Sequence, residues 1–189
     1  MSRFCLCGGD FCAFNLGFLA NPCNVIPEIG CCNGKGSSGF GWRSTAHEVC
    51  DQLRKRLDGK LVVVTGANTG VGLEVAKAFF EIGATVVLAC RNAQRAAGAK
   101  KVIEDTAVPL NAGPGGRLIL EALDLASLAS VEAFGAKVNA MPEPLYALVC
   151  NGGIMAPPFA LTADGFETQF QARDTRIPPP RLLRRYPRL

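Results

Sequence analysis

The chain has 189 residues, of which 49% are hydrophobic and 19% charged, with 21 glycines, 12 prolines and nine cysteines. This composition excludes a wholly disordered chain and a collagen, and it suffices for one globular domain with flanking segments. No run of about eighteen residues is uniformly apolar, so the sequence contains no transmembrane-helix signal, while association with a membrane surface stays open.

Positive charge is concentrated at the carboxyl end of the chain. Residues 173–189 hold six arginines against one aspartate, a net charge of +5, whereas the remaining residues hold 14 basic and 15 acidic side chains, a net charge of −1. A basic surface for nucleic acid or membranes would therefore have to come from this tail. Since aromatic residues are not interleaved with the arginines, no nucleic-acid partner is expected.

Residues 1–42 are predicted to form an irregular, cysteine- and glycine-rich extension. This segment has neither a strand period nor a helix period. It holds six of the nine cysteines, namely Cys5, Cys7, Cys12, Cys23, Cys31 and Cys32. Their spacing lacks the paired C-x2-C pattern of tetrahedral zinc sites, so no metal site is predicted. A disulfide framework, S-acylation and a targeting segment remain alternatives to a poorly ordered extension.

Residues 43–171 are predicted to be the folded domain, because short β-branched runs alternate there with segments of helical period. Thr45 and Glu48 have the spacing of a capping box, which predicts a helix over 45–56. A continuous apolar run predicts a strand over 60–65 that is buried on both faces.

A second helix is predicted after this strand, and Gly83 is expected to end it. The apolar positions of the helix predict a buried face of Val71, Val75, Ala76, Phe79 and Phe80. Its charged positions predict a solvent face of Glu74, Lys77 and Glu81.

Three further strands and two further helices are predicted along the chain. The strands cover 85–89, 118–123 and 145–150. Asn92 is the predicted N-cap of a helix that reaches about residue 105, and Ser127 caps the other helix. The apolar face predicted for the helix after Ser127 consists of Leu128, Val131, Phe134 and Val138.

Strands and helices that alternate in this way predict an α/β fold with a doubly wound parallel sheet of the Rossmann type. Ligands of such sheets bind at the carboxyl ends of the strands. Because the predicted domain stops soon after its fourth strand, we expect a C-terminally truncated sheet whose open edge favours self-association. Cys150 ends the fourth strand and is expected to be a small buried residue, with a reactive thiol as the alternative.

A glycine-rich turn, TGANTGVG from Thr65 to Gly72, lies between the first strand and the second helix. In such a turn Gly66 permits a sharp bend and Gly70 lets a pyrophosphate approach backbone N–H groups at a helix N-terminus. Gly72 allows the helix to pack closely on the sheet. We interpret the turn as a phosphate-binding site.

The spacing of this turn and four longer stretches resemble the short-chain dehydrogenase/reductase family, and within it the retinol dehydrogenase-like and protochlorophyllide reductase-like branch. The stretches are DGKLVVVTG at 58–66, VLACRN at 87–92, ALDLASLASV at 122–131 and LVCNGGIMAPPFALTADGFETQF at 148–170. The resemblance implies a nicotinamide-dependent oxidoreductase built on a Rossmann-type fold.

The resemblance also implies which residues contact the cofactor. The pyrophosphate and the neighbouring ribose would be held by Gly66, Asn68, Thr69, Gly70, Val71 and Gly72. Asp124 and Leu125 would contact the adenine, although Asp124 could instead cap the turn into the next helix. Asn151 and Gly153 match the turn after the fourth strand, where the family usually has Asn-Asn-Ala-Gly. This chain has Cys-Asn-Gly-Gly there, which is expected to loosen the turn.

Arg91 indicates the choice of cofactor. A carboxylate at the end of the second strand would bind the 2′-hydroxyl of NAD, but this chain has Cys90-Arg91-Asn92 there. A guanidinium pairs well with a phosphate, so NADP(H) is predicted in preference to NAD. The alternative interpretation of Arg91 is a solvated loop cation.

The family pattern ends near residue 171. The resemblance implies a catalytic Ser and a Tyr-x-x-x-Lys motif farther along, whereas residues 172–189 are rich in arginine and proline and contain neither. No catalytic residue is therefore predicted in this chain. It is expected to be the NADP(H)-binding portion of an oxidoreductase without turnover of its own, and a small-molecule substrate is expected only in a longer form.

Two other functions stay open at this point. One is a non-catalytic NADP(H)-binding or regulatory module, and the other is a nucleic-acid or membrane-surface binder that uses the basic tail. A cytoplasmic or membrane-peripheral location is favoured, with targeting to an organelle left open.

Overall fold

The computed structural model describes residues 38–41, 44–53, 56–110 and 113–174. The predicted extension over 1–42 lies outside this description except for 38–41, and so does the tail beyond 174. In the described part of the chain, no helix has the length and apolar character needed to cross a bilayer.

The chain divides into two units, Met1–Val49 and Cys50–Leu189. In the first unit, Thr45 and Glu48 form the predicted capping box. The Glu48 N–H donates to Thr45 Oγ1 at 3.2 Å, and the Thr45 N–H donates to Glu48 Oε2 at 3.0 Å. Helix α1 begins directly after Thr45 and spans Ala46–Leu53, whereas residues 54 and 55 of the predicted helix lie outside the described residues.

The second unit contains a parallel sheet in the order β3-β2-β1-β4. Its strands are β1 (Leu61–Thr65), β2 (Thr85–Cys90), β3 (Arg117–Ala122) and β4 (Leu145–Val149). The helices of this unit are α2 (Gly70–Glu81), α3 (Ala93–Thr106), α4 (Leu128–Asn139) and α5 (Thr168–Asp174). This alternation confirms the doubly wound, Rossmann-type fold.

Two apolar cores lie on opposite faces of the sheet. Val62 and Val64 of β1 pack with α2 and α3 residues such as Ala76 and Ile103. The alternate β1 residues, Leu61 and Val63, pack on the other face with Val131, Phe134 and Val138 of α4. Because successive strand residues point to opposite faces, a strand covered on both sides needs the unbroken apolar run that β1 has.

The predicted caps of two helices are confirmed. Asn92 Oδ1 accepts a hydrogen bond from the Arg95 N–H at 2.9 Å, and Ser127 Oγ accepts one from the Ser130 N–H at 3.3 Å. Each cap satisfies an N–H group of the first helical turn, which has no partner inside the helix.

The prediction for Glu81 is wrong, because only 2% of its surface is exposed although its helical position suggested solvent. The segment after α3 folds over it, and the Val108 N–H donates to Glu81 Oε1 at 3.2 Å. The Leu110 N–H donates to the Glu81 backbone oxygen at 2.8 Å. A helical wheel contains no information about such a covering loop.

Val71 and Leu128 were predicted to be buried and are exposed by 72% and 43%, respectively. Each lies in the first turn of its helix, at the end of the sheet where the loops leave it. The other predicted contact residues of α4, Val131, Phe134 and Val138, are buried as expected.

Arg56 joins the loop before β1 to the loop before β3. Its guanidinium donates to the backbone oxygens of Leu110 and Pro114, both at 2.7 Å. It also makes a bidentate contact with the Asp58 carboxylate at 2.7 and 2.8 Å. The hydrogen bond from Arg56 lowers the pKa of Asp58 below its ordinary value of 3.8.

We expect Asp58→Asn to reduce the free energy of unfolding at neutral pH and to have less effect in acid. Since the pKa of Asp58 is lower in the folded state, its contribution is complete above the unfolded pKa and is lost as pH falls through the folded pKa. Urea unfolding between pH 7 and about pH 3 should therefore give a difference from wild type that shrinks below about pH 4. Asp105→Asn is the control, since Asp105 is exposed. A difference that is constant over the whole range would contradict this prediction.

Strand β4 pairs only with β1 among the described strands, so one of its edges is open. Cys150, just beyond β4, is exposed, which makes its predicted burial wrong, because a strand with one neighbour leaves its end uncovered. The segment after β4 also exposes six large apolar side chains, which are Ile154, Met155, Phe159, Leu161, Phe166 and Phe170. Self-association through this edge stays a prediction.

Candidate functional site

The carboxyl ends of the strands converge on the glycine-rich turn. After Thr65 the chain bends at Gly66, whose φ of +65° is unfavourable for residues with a Cβ atom. The Gly66 N–H donates to the Ala89 backbone oxygen at 2.9 Å, which holds the turn against β2.

Gly72 allows α2 to approach the sheet closely. A Cβ atom on Gly72 would lie 2.4 Å from Asn151 Nδ2 and 2.6 Å from the Gly66 backbone oxygen. Both distances are shorter than a van der Waals contact, so any side chain would displace the helix or the turn beneath it. The helix therefore begins directly above the turns that follow β1 and β4.

The first turn of α2 offers backbone N–H groups to a ligand. Thr69 is the N-cap residue in an extended conformation, and its side chain makes no capping hydrogen bond. Gly70 follows with a φ of +58°, and nothing lies within 4 Å of the position that its Cβ would occupy. Thr69, Gly70 and Val71 are exposed and Asn68 is half-buried. An uncapped helix N-terminus with free space in front of it favours an anion.

The turn after β4 forms the floor of this site. Asn151 Nδ2 donates to the backbone oxygens of Thr65 and Gly66 at 3.0 and 3.3 Å. The Gly152 N–H donates to Thr65 Oγ1 at 2.8 Å, and Thr65 Oγ1 donates to the Val149 oxygen at 3.4 Å. These contacts fasten the Cys-Asn-Gly-Gly turn to the end of β1, and Gly153 continues it at the exposed surface.

Thr65 and Gly152 were not among the predicted site residues. The available signal was a hydroxyl-bearing residue at the end of a buried apolar strand, since Thr65 is only 2% exposed. A buried hydroxyl needs a hydrogen-bond partner, and here it has one in the turn after β4.

Asp124 and Leu125 lie in the turn between β3 and α4. Asp124 Oδ1 accepts from the Ala126 N–H at 2.9 Å, so the carboxylate caps this turn as the alternative interpretation proposed. Leu125 is half-buried, and its Cδ1 lies 3.0 Å from the position that a Cβ on Gly152 would occupy. Leu125 therefore lies against the floor of the site.

Arg91 follows β2 at the same end of the sheet and is exposed. Within the described part of the chain, its guanidinium has no hydrogen bond or ion pair. Arg91 is thus a charged group available to an anionic ligand. The preceding residue, Cys90, is buried, and burial raises the pKa of its thiol, so this sulfur stays protonated near neutral pH.

The structure brings the predicted residues together to different degrees. Gly66, Gly72 and Asn151 are in direct contact, and Leu125 approaches them through Gly152. Arg91 and Gly153 lie at the same carboxyl edge of the sheet without a contact to the glycine turn among the described interactions. The described residues contain no group of three His, Cys, Asp or Glu side chains that could hold a metal ion. The N-terminus of α2, the Arg91 guanidinium and the apolar side chain of Leu125 together suit a phosphorylated nucleotide.

Residues 60–172 match the family model for short chain dehydrogenases. The WW domain-containing oxidoreductase of Homo sapiens is 47% identical over 114 residues, which are 60% of this chain and 26% of that protein. Retinol dehydrogenase 11 of Homo sapiens is 40% identical over 112 residues, 59% of this chain and 33% of that protein. The second of these relatives agrees with the predicted retinol dehydrogenase-like branch.

An uncharacterized protein from Mycobacterium paratuberculosis, known from a crystal structure, has the same fold. The two structures superpose with a TM-score of 0.51 and 32% sequence identity, over 68% of this chain and 41% of the other. Of the two Homo sapiens relatives named above, this chain spans only about a quarter to a third of the length. The region matched by the family model, residues 60–172, contains the glycine turn and the whole described sheet. Proteins of this family bind a nicotinamide cofactor.

Proposed function

Since this chain belongs to the short chain dehydrogenase family, we propose that its folded domain is the NADP(H)-binding portion of an oxidoreductase. The observation that carries this proposal is the start of α2, where Thr69 leaves the helix N-terminus uncapped in front of open space at Gly70. When bound, the nicotinamide group would supply the hydride acceptor or donor of the reaction. The residues described here bind and orient the cofactor.

The pyrophosphate is proposed to lie at the first turn of α2. There the N–H groups of Gly70, Val71 and Gly72 have no partner within the helix, and the helix dipole favours a negative charge. Asn68 and Thr69 lie directly before this turn and would contact the neighbouring ribose. Gly66 and Asn151 would act by holding the turn in place.

The adenosine half is proposed to lie between β2 and β3. Leu125 would pack on the adenine, and the Asp124 carboxylate, which caps its own turn, would accept from the adenine amino group. Arg91 would pair with the 2′-phosphate, which is the basis for preferring NADP(H) to NAD. Gly153, after the floor of the site, would lie on the nicotinamide side.

We further propose that the 189-residue chain binds the cofactor without turnover. Proton transfer to or from a carbonyl oxygen requires an acid or base at the reacting atom. The Ser and the Tyr-x-x-x-Lys motif that the resemblance implies do not follow residue 171 in this sequence. The 189-residue chain can therefore be tested as a non-catalytic NADP(H)-binding module.

Titration calorimetry with NADPH is the first test. We expect saturable binding of one NADPH per chain, together with no NADPH consumption when a panel of aldehydes and ketones is added. Gly70→Asp should weaken NADPH binding by at least about tenfold, because a carboxylate would face the phosphates at the helix N-terminus. Gly70→Asn is the matched control, since it places a neutral side chain of nearly the same size at the same φ of +58° and so separates the effect of charge from that of backbone strain.

Two results would contradict the proposal in different ways. If the folded wild-type chain binds no NADPH, the cofactor-binding function is wrong. If it reduces a carbonyl substrate at ordinary enzymatic rates, binding stands and the lack of turnover is wrong. Thermal melting of both Gly70 variants verifies that any loss of affinity arises in a folded protein.

A further inference from the structure

Residues 160–171 form a compact turn that carries Asp164 to the start of α4. Leu161 and Glu167 form an antiparallel bridge, and the Thr162 N–H donates to the Phe166 backbone oxygen at 2.8 Å. At the tip of the turn, Asp164 Oδ2 accepts a hydrogen bond from the Leu128 N–H at 2.8 Å. Leu128 is the first residue of α4, so Asp164 satisfies an N–H group that has no partner inside the helix.

The Asp164 carboxylate is also held from the side of α5. Gln171 Nε2 donates to the same Oδ2 atom at 2.7 Å. Thr162 Oγ1 donates to Gln171 Oε1, which orients the amide group. Gln171 is only 4% exposed, and a buried amide with partners at both ends is a rigid support.

The first turn of α4 is in turn bonded to the end of β3. Ser127 Oγ accepts from the Ser130 N–H, and Ser130 Oγ accepts from the Asp124 N–H at 3.0 Å. These hydrogen bonds, together with the covalent backbone of residues 127–130, link the turn at Asp164 to the backbone of Asp124. Ser127 alone would leave the Leu128 N–H unpaired.

We infer that Asp164 is a positioning residue for the adenine side of the cofactor site. It holds the first turn of α4, and this turn holds Asp124 and Leu125 in the place where the adenine would bind. The inference depends on the proposed function for the identity of the ligand. Asp164 acts through α4, and its negative charge at a helix N-terminus adds to the stabilisation of that turn.

A merely structural role for Asp164 would have a different signature. It would lower the stability of α4 without changing the relative affinity for ligands that use different parts of the site. A positioning role changes the affinity for an adenine-containing ligand and leaves the affinity for a ligand at the α2 N-terminus unchanged.

The first measurement is amide hydrogen exchange by NMR on the 189-residue chain without ligand. In Asp164→Ala, the amide protons of residues 126–130 should exchange about fivefold faster, the effect expected for loss of one helix-capping group. The amide protons in the first turn of α2 should be unaffected. Asp105→Ala is the control because it removes an exposed aspartate from another helix.

The second measurement compares two probes by calorimetry. Adenosine 2′,5′-bisphosphate contains the adenine, whereas inorganic pyrophosphate lacks it and can bind only through the α2 N-terminus and Arg91. We expect Asp164→Ala to weaken the nucleotide by about fivefold and pyrophosphate by less than about twofold. Asp164→Asn retains an oxygen acceptor for the Leu128 N–H and should restore part of the nucleotide affinity.

The outcomes separate this inference from the proposed function. Unchanged exchange at residues 126–130 in Asp164→Ala would overturn the inference whatever the ligand. So would faster exchange with equal losses of affinity for both probes. If the wild-type chain binds neither probe, the proposed function fails first, and the exchange data still report whether Asp164 holds α4. Asp164→Asn keeps the test valid if the alanine variant does not fold.

Discussion

Gly72→Ala should destabilise the protein and abolish NADPH binding, although it adds only one methyl group. The new Cβ would lie 2.4 Å from Asn151 Nδ2 and 2.6 Å from the Gly66 oxygen, which is a backbone atom that no side-chain rotation can move. We expect a loss of about 2 kcal/mol or more in the free energy of unfolding, together with displacement of the α2 N-terminus from the phosphate position. Urea unfolding and NADPH calorimetry measure the two effects.

The matched control for this prediction is Gly98→Ala. Gly98 also lies within a helix, but its Cβ position has nothing within 4 Å. Alanine there should raise the free energy of unfolding by roughly 0.5–1 kcal/mol, because alanine has the higher helix propensity. If both substitutions have the same effect, the close packing of α2 on the floor of the site does not exist in solution.

Arg91→Glu should change the cofactor preference of the chain. It would remove a cation from the proposed 2′-phosphate position and replace it with an anion that repels phosphate and can accept from the 2′-hydroxyl of NADH. Loss of charge-assisted hydrogen bonds costs roughly 1.5–3 kcal/mol, so we expect NADPH binding to weaken by at least about tenfold. NADH binding should stay the same or become stronger. Calorimetry with both cofactors gives the ratio.

Lys101→Glu is the charge-matched control for Arg91→Glu. Lys101 is an exposed residue farther along α3, so its reversal changes the net charge of the protein equally. Arg91→Lys should lie between wild type and Arg91→Glu, because an ammonium group attracts phosphate without the bidentate geometry of a guanidinium. An unchanged ratio of NADPH to NADH affinity in Arg91→Glu would mean that Arg91 is a solvated loop cation.

The sheet could be predicted from the sequence because its strands are buried on both faces. LVVVT and TVVLAC have no polar alternation, and all of their residues are buried. Asn92 and Ser127 were recognisable as caps because an N-cap bond is local and depends on residues three positions apart. Local chemistry and a strong apolar pattern therefore carried these predictions.

Glu81 could not be placed correctly for the opposite reason. Its burial depends on backbone N–H groups at residues 108 and 110, which belong to a loop with no recognisable pattern. The predicted burial of Val71 is wrong because the hydrophobic pattern of a helix does not reveal where the sheet beneath it ends. The exposed Val71 is at the mouth of the candidate site, where a local rule and the global fold are expected to disagree.

The candidate site was predictable in its glycine turn and less so in its floor. The roles of Gly66 and Gly72 follow from their spacing after a buried strand, and the structure agrees with both. Asn151 entered only through the resemblance to a family, because its partners at Thr65 and Gly66 are far away in the sequence. Contacts of this kind, including that of Asp164 with Leu128, have no periodic or compositional signal.

The central position of β1 means that the candidate site is assembled from both near and distant parts of the chain. Leu61 pairs with Thr85 on one side and with Leu145 on the other. Closing the second, much longer loop costs more chain entropy than closing the first. Because Asn151 and Gly152 reach Thr65 only when β4 has paired, the turn and its floor meet at the end of this long-range step. The glycine motif is thus local in sequence, whereas the complete site depends on contacts between distant parts of the chain.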